Sequence, residues 1–457
     1  MRSQIRFNAF DMSCVGHISA GTWRHPADQS HRYTDIEYWT ELAKTLEAGF
    51  FDGIFIADVL GTYDVYGDSH DAALTHATQT PVTDPLLVVA AMAAVTTNLG
   101  FGVTAGTAYE HPYPFARRMS TLDHLTKGRV GWNVVTGYLP SAARNMGHQD
   151  QLEHDARYDH ADEYLEVLYK LWEGSWEDDA VQRNKSTGVY TDATKVHNIN
   201  HAGKHFTVPG IHLVEPSPQR TPVIFQAGTL PRGIRFAGAN AEAVFVGAPS
   251  KQTLSSQVSR LRDGFEAAGR PRDAAKIYAM ATIIVDETSE KAHAKHREIL
   301  DVADPEAALV LMSGWMGVDL SQYDLDEPVG NISSNAIAST VASFKQEADE
   351  GREWTVRDIA EYAKVGGYGI KIIGSPSEVA DQLEQWVSET GIDGFNLSYA
   401  VSPGTFEDVV HWVVPELQRR GVYPTEYAPG TLRHKLHGRG DYLPEEHHGH
   451  QYKISRT

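Results

Sequence analysis

The strongest constraint on the fold is a rhythm of short apolar runs, each followed by a polar loop and then by a segment with helical spacing. The runs are 5–10, 53–57, 99–103, 129–135, 222–226, 243–246, 278–285 and 394–398. The first alternates, but GIFIA at 53–57 and PVIFQ at 222–226 are apolar almost throughout. A strand without alternation is buried on both faces, as in a parallel sheet covered by helices. Between the runs, 35–48 places Ile36, Trp39, Leu42, Ala43 and Leu46 on one helical face, and Asp84-Pro85 supplies a cap and a first-turn proline for 84–97. Further helices are expected at 114–125, from about 159 to 172, from 231, and at 253–268, 287–300 and 406–420. Eight strand–helix units predict an α/β fold, a (β/α)8 TIM barrel, with chemistry at the carboxyl ends of the strands. The rival, a doubly wound open sheet, calls for a glycine-rich phosphate turn, and no GxGxxG or GxxxxGK[ST] follows a strand.

Two segments break the rhythm, about 175–221 and 304–369, so the reading is one barrel domain over 1–422 with two long insertions and a C-terminal arm at 423–457. VHNINHAGKHFTV, inside the first insertion, reads as a hairpin turning near Ala202-Gly203. Long insertions in a barrel either wall the site or decorate the outside. The PEEHHGH run in the arm is read as part of an ordered or frayed segment and not as a metal site.

A formal charge of −20 and a pI near 5.5 argue against nucleic acid or an anionic membrane as partner, because both demand a cationic face. The longest apolar run, 86–95, is far short of a membrane span, and MRSQIRFNAFDM has no signal-peptide core. One cysteine, Cys14, rules out an intrachain disulfide and is read as a small buried hydrophobe. A cytoplasmic protein with a small-molecule ligand is expected.

In a barrel, the residues leaving the strands share one mouth: Asp11, His17, Asp58, Thr104, Asn133, Thr136, Ala227, Gly228, Thr229 and Ser398. No His-x-His leaves the first strand and no Gly-x-Ser-x-Gly occurs, so neither a metal hydrolase nor an acyl transferase is supported, and no metal is expected. QAGTLPRG after the fifth strand offers small residues, a hydroxyl and a proline-initiated helix, which suits a bound phosphate or is ordinary capping. Arg232 or Arg235 then helps to neutralise the phosphate or simply faces solvent. The long polar exit of the fourth strand ends in LEHDARYDHADEY, where His154, Arg157 and Tyr158 form either a charged helix start or part of a ligand wall.

GRVGWNVVTGYLPSAARNMG, followed by LEHDARYDHADEYLEVLYKLW, closely resembles the flavin-dependent monooxygenases of the bacterial luciferase-like superfamily. The branch it is similar to contains nitrilotriacetate, dibenzothiophene-sulfone and dimethylsulfide monooxygenases. The resemblance runs through NAFDM, FDGIFIAD, LDHLTKGR, PVIFQAG and VVPELQRRG, so it spans nearly the whole chain. It implies a two-component system: a separate, transiently associating NADH-dependent flavin reductase supplies FMNH2, and this chain adds O2 to oxygenate a small substrate through a C4a-hydroperoxyflavin. Carried over by motif, Asp58, Thr104, His154, Tyr158, Gly228 and Thr229 are the implied FMN contacts, and Asn133, in the WNVVT strand, either meets a polar edge of the ring or makes a buried structural hydrogen bond. Thr229 and Tyr158 lie at the phosphate, Asp58 and Thr104 nearer the ring or ribityl chain.

Such a site must exclude water. Trp23, Tyr63, Tyr66, Tyr109, Tyr138 and Trp315 are candidate walls, and His17 the candidate for proton management, its unperturbed pKa lying near neutrality. NAFDMSCVGHISAGTWRHP with FIADVLGTYDVYG looks most like the dimethylsulfide end of the branch. The sulfone-oxidising members carry a histidine in the segment corresponding to LMSGWMGVDLSQYDLDEP, where this chain has Trp315, which suits a small apolar sulfide. The implied reaction converts dimethylsulfide to methanethiol and formaldehyde. Open alternatives are an aminopolycarboxylate, aromatic sulfone or halogenated aromatic substrate, a deazaflavin used for hydride transfer, and a non-catalytic flavin-binding protein. The resemblance further implies a homo-oligomer, dimer or tetramer.

Overall fold

The computed structural model describes residues 4–329 and 353–454. Nine parallel strands form its main sheet: β1 (Arg6–Met12), β2 (Gly53–Ala57), β3 (Gly100–Gly106), β4 (Val130–Val135), β5 (Val223–Gln226), β6 (Ala243–Val246), β7 (Lys276–Val285), β8 (Ile370–Gly374) and β9 (Gly394–Ser398). Eight of them close into a barrel. β1 pairs with β2 and β9, each of β2 to β6 pairs with the next strand, and β7 returns to β9. The (β/α)8 barrel read from the sequence is the fold.

The segment 370–393, left unassigned by the sequence reading, holds β8 and the helix Pro376–Thr390. β8 pairs with Ala281–Val285 of β7, beyond the point where β6 ends its own pairing at Ala279, so it prolongs the barrel wall without entering the closed ring. Helix ends also shift. The helix after β4 starts at His154 and not near 159, and the final segment runs from Gly404 through a π turn, Val409–Val413, into Val414–Arg419. Pro415 lacks an N–H to continue the α ladder, which accounts for the irregular turn before it.

The barrel is packed with aromatic rings. Phe55 stacks on Phe10 at 5.1 Å and on Phe245 at 4.3 Å, and Phe245 stacks on Phe225 at 5.5 Å. Gly131 in the RVGWN strand is dictated by this stack, since a Cβ there would lie 2.2 Å from the Phe225 ring. The floor is closed by the C-terminal arm, whose helix Leu432–His437 inserts Leu432 and Leu436 among Val223, Phe225 and Tyr278. Beside them Arg433 and Glu242, 2% and 3% exposed, form a 2.6 Å ion pair, and Arg433 also donates to the carbonyls of Thr221 and Asp441. Two of the arm's histidines have backbone partners: His447 Nε2 lies 2.8 Å from the Asn240 carbonyl and His450 Nδ1 3.0 Å from that of Leu443.

The first insertion carries two small hairpins, Val181–Asn184 with Val189–Thr191 and His201–Ala202 with Thr207–Val208, the second turning through 203–206. It packs against the outer helices, through His212 on Ser120 and Glu163 on the backbone of His205 and Phe206. The second insertion turns to the mouth and sends Trp315 and Tyr368 into it; its residues 330–352 lie outside the described residues. No helix among the described residues is long and apolar enough to cross a membrane.

Candidate active site

A cavity of about 210 Å³ opens at the carboxyl ends of the strands. Its floor is the top of the aromatic stack, Phe10, Phe55 and Phe245, with Met12 and Met280 beside them. Asp58, Thr104, Asn133 and Thr229, all expected at the mouth, line its wall, and His17, Gln79, Tyr138, Trp315 and Tyr368 close it. Strand alternation explains the selection: Phe10 and Met12 face in while Asp11, between them, faces out. Ser398 is likewise outside the lining, hydrogen-bonded to Thr282 at 2.6 Å.

Asn133 Nδ2 donates to Thr104 Oγ1 at 3.1 Å, whereas its buried Oδ1 has no partner. Burial and the neighbouring Asp84 push the Asp58 carboxyl up to about 7. His17 is 1% exposed and sits edge-on to Phe10 at 4.4 Å, and burial lowers its pKa to about 3. That corrects the premise of the sequence reading: the ring stays neutral at physiological pH and does not titrate near neutrality. Its Nδ1, buried and without a partner, keeps one hydrogen-bonding position open.

Behind His17 runs a chain of defined polarity. Gln79 Nε2 donates to the His17 carbonyl at 3.0 Å, which leaves its Oε1 to accept from Tyr63 Oη at 2.8 Å. Trp315 Nε1 donates to Tyr63 Oη at 3.1 Å. Tyr63 has therefore spent its proton, so the 2.6 Å contact with Tyr138 is a bond donated by Tyr138.

A second cavity, about 500 Å³, adjoins the first at Tyr138 and is walled by His154, Arg157, Gln151, Gly314 and Gly317. Arg144 there is paired with Asp64, and His154 Nδ1 lies 2.8 Å from Asp155. Arg157 differs. It is 7% exposed, its Nε has no partner, no carboxylate pairs with it among the described residues, and burial lowers its pKa. A buried guanidinium left this way marks a place for an anion.

Tyr158 and Gly228 meet behind Thr229. Tyr158 Oη accepts from Gln226 Nε2 at 3.4 Å, and a Cβ on Gly228 would fall 2.4 Å from that nitrogen and 2.8 Å from Tyr158 Oη. A side chain at 228 would have to displace one of them. The following helix, Pro231–Asn240, has no side-chain cap, so its first turn is open to a ligand. Arg232 is not: Asp159 and Asp162 hold it at 3.0 and 2.6 Å.

Of the candidate walls, Tyr63, Tyr138 and Trp315 gather here, Tyr109 lines a side cavity that shares Asp58, Val59 and Thr104 with this one, and Trp23 does not belong, being 39% exposed with its indole on the His76 carbonyl. Gln79, Tyr368, Asn396 and the unpaired state of Arg157 were missed. Phe10, Phe55 and Asn396 were findable from their places in strands; Gln79, held at φ 50 in a loop, had no sequence signal.

Residues 16–394 match the family described as luciferase-like monooxygenase. The dimethyl-sulfide monooxygenase of Hyphomicrobium sulfonivorans is 53% identical over 448 residues, 98% of this chain and 93% of that protein. The long-chain alkane monooxygenase of Geobacillus thermodenitrificans (strain NG80-2) is 50% identical over 455 residues, 99% of each. A crystal structure of a riboflavin lyase with modified FMN and substrate riboflavin superposes with a TM-score of 0.92 at 38% identity, covering 99% of this chain and 100% of that one. With a family match over most of its length and relatives this similar end to end, the chain belongs to the luciferase-like monooxygenases.

Proposed function

We propose that this monooxygenase is the oxygenating component of a two-component system that uses FMNH2 from a separate NADH-dependent reductase and acts on a small thioether, dimethylsulfide. The residues present suit FMN. Arg157, Tyr158 and the closely packed Gly228 offer an anion site beside an uncapped helix start, while Asp58, Thr104, Thr229 and the unpartnered Asn133 Oδ1 offer polar contacts for the ribityl chain and ring. His154, on the outer cavity's wall, is a contact of the same group. When bound, FMNH2 would supply two of the four electrons that reduce O2, the oxidised methyl group supplying the other two.

The observation that carries the substrate class is the inner cavity: small, floored by phenylalanines and closed by Trp315. Among the described residues it offers no charged partner other than Asp58, which disfavours a polycarboxylate. The chain's own residues exclude water, hold His17 neutral, and keep the Tyr63 and Tyr138 hydroxyl protons engaged with each other and Gln79. The balance is CH3SCH3 + O2 + FMNH2 → CH3SH + HCHO + H2O + FMN, one oxygen atom going to the methyl carbon and the other to water. The similar dimethyl-sulfide monooxygenase supports this reading. The equally full-length similarity to a long-chain alkane monooxygenase favours a second one, oxygenation of an unactivated alkyl carbon.

The test is an assay with a flavin reductase, NADH, FMN and O2. Methanethiol formation from dimethylsulfide is the expected result. Oxidation of n-alkanes without any sulfide turnover would replace the first reading by the second, and NADH-driven H2O2 alone, with neither series, would defeat both.

A further inference from the structure

We infer that Lys371 is a positioning residue for the mouth of the barrel: its side chain pins the turn 366–369, and through that turn the wall of Tyr368 and Trp315 and the loop after His17. The inference deepens the monooxygenase reading above and rests on it for its functional readout. Lys371 lies in β8, opposite Thr282 of β7. Its ammonium donates to the carbonyls of Gly367 and Gly369, the latter at 3.0 Å, and sits 3.6 Å from the centre of the Tyr362 ring. Tyr362, on the helix Val356–Ala363 of the second insertion, donates its own hydroxyl to the Gly369 carbonyl at 2.8 Å. No carboxylate pairs with Lys371 among the described residues, and burial lowers its pKa well below the usual lysine value. An ammonium buried without a counterion costs stability, and methionine would fill the same space without that cost. What the charge adds is a pair of charge-assisted bonds to the backbone of a single turn.

That turn has little else to hold its shape. Gly366 and Gly367 have φ 74 and 57, in the left-handed region, and a Cβ would lie 2.2 Å from Thr282 Oγ1 at the first and 3.2 Å from the Trp315 ring at the second. Glycine fits, but its backbone is also the freest to leave this conformation. The turn reaches the mouth on several sides. It presents Tyr368, which lines the cavity and meets Trp315 edge-on at 5.5 Å. The Gly367 N–H donates to the Ile18 carbonyl at 2.9 Å and the Gly366 N–H to Ser19 Oγ at 3.0 Å, on the residues that follow His17. Without the ammonium, the buried Gly367 carbonyl loses this donor and the turn relaxes to reach water. Tyr368 then withdraws from Trp315 and admits water to the flavin, which the reaction must exclude.

The test compares wild type with Lys371→Met, which keeps the length of the side chain and removes the donors. Lys364→Met is the control, because Lys364 ends the same helix but pairs with Glu361. Hydrogen exchange at the Gly366 and Gly367 amides and urea unfolding are read on the flavin-free proteins. H2O2 released per NADH consumed is read with the reductase, FMN and substrate, the oxygenase being in excess over FMN. In Lys371→Met the two amides should exchange about 10- to 150-fold faster, the equivalent of one charge-assisted bond. Urea stability should equal or exceed that of wild type, since a buried unpaired charge has gone, and the share of NADH ending as H2O2 should rise. Lys364→Met should leave exchange and H2O2 as in wild type. Faster exchange with an equal loss of urea stability would make Lys371 a merely structural residue and overturn the inference. Unchanged exchange, or faster exchange with no added H2O2, would overturn it too. Should Lys371→Met not fold, Lys371→Gln, with a shorter and neutral donor, replaces it and is held to the same outcomes. A wild type that oxygenates neither sulfides nor alkanes removes the oxygenation reading, and exchange with urea unfolding still decides the pin.

Discussion

Replacing Arg157 by Met tests the phosphate site with two effects of opposite sign. The side chain is 7% exposed, and its Nε has no partner. A charged donor left unsatisfied in the interior costs about 1–3 kcal/mol or more, a cost that a bound phosphate removes. The charge-assisted bonds then formed contribute about 1.5–3 kcal/mol, which at 1.4 kcal/mol per decade is roughly 10- to 150-fold in affinity. The variant should therefore bind FMN that much more weakly. Riboflavin, which lacks the phosphate, should bind it as it binds wild type. Without flavin the variant should be more stable by about 1 kcal/mol or more, because a buried unpaired cation has gone. Fluorescence titrations with both flavins and urea unfolding of the flavin-free proteins give the three numbers. Arg144→Met is the control, since Arg144 lines the same cavity but is half exposed and paired with Asp64. Equal weakening toward both flavins, or unchanged FMN affinity, would refute the assignment.

Asp11, 1% exposed with Oδ2 unpartnered, has its pKa raised by burial from 3.8 to about 7. The unfolded chain gives up this proton near 3.8 and the folded chain near 7, so the group's contribution is full below pH 4 and is lost as pH rises to 7. The loss amounts to at most about 4 kcal/mol at 1.36 per unit. Asp11→Asn should match wild type at pH 4 and exceed it at pH 8 in urea unfolding; equal stability at pH 8 would contradict the burial argument. Gly228→Ala puts a methyl 2.8 Å from Tyr158 Oη, and an overpacking cost of about 1–3 kcal/mol falls on the flavin site, so FMN affinity drops tenfold or more while the circular dichroism spectrum is unchanged. Arg433→Met leaves Glu242 charged, buried and alone, and lowers stability by about 3–5 kcal/mol; adding Glu242→Gln should recover much of it, and a double variant no better than the single would refute the pairing.

Most of the barrel was legible because its strands are buried on both faces, and only uninterrupted apolar runs satisfy that. GIFIA and PVIFQ read as covered parallel strands on that ground alone. What escaped notice was β8 with the helix Pro376–Thr390, although its signals are local. Ser375-Pro376 and Glu378 form a capping box with Pro in the first turn, and the structure shows both reciprocal bonds. They follow a long irregular insertion, and β8 lies outside the closed ring, so eight strand–helix units are satisfied without them. The arm at 423–457 shows a different limit. Leu432 and Leu436 read as an unremarkable amphipathic pair, and nothing in their sequence says that the empty end of the barrel is what they cover.

Pairing distinguishes the two arginines beside the proposed phosphate site. Arg232 stands at the start of the helix after β5, where sequence alone would place an anion-binding cation. Yet Asp159 and Asp162, one turn apart on the helix His154–Trp172, reach across and neutralise it. Arg157 stands on that acidic helix itself, in the sequence context of a solvated charge, and is the one whose buried Nε has no partner. Composition lists the charges, but pairing is decided by which helix faces meet. A carboxylate spacing of three residues that looks like surface decoration instead occupies one cation and leaves the other free for a ligand. The site's charge is thus a property of the contact between two helices and of neither taken singly, which is why the strand ends were readable from the chain and the anion anchor was not.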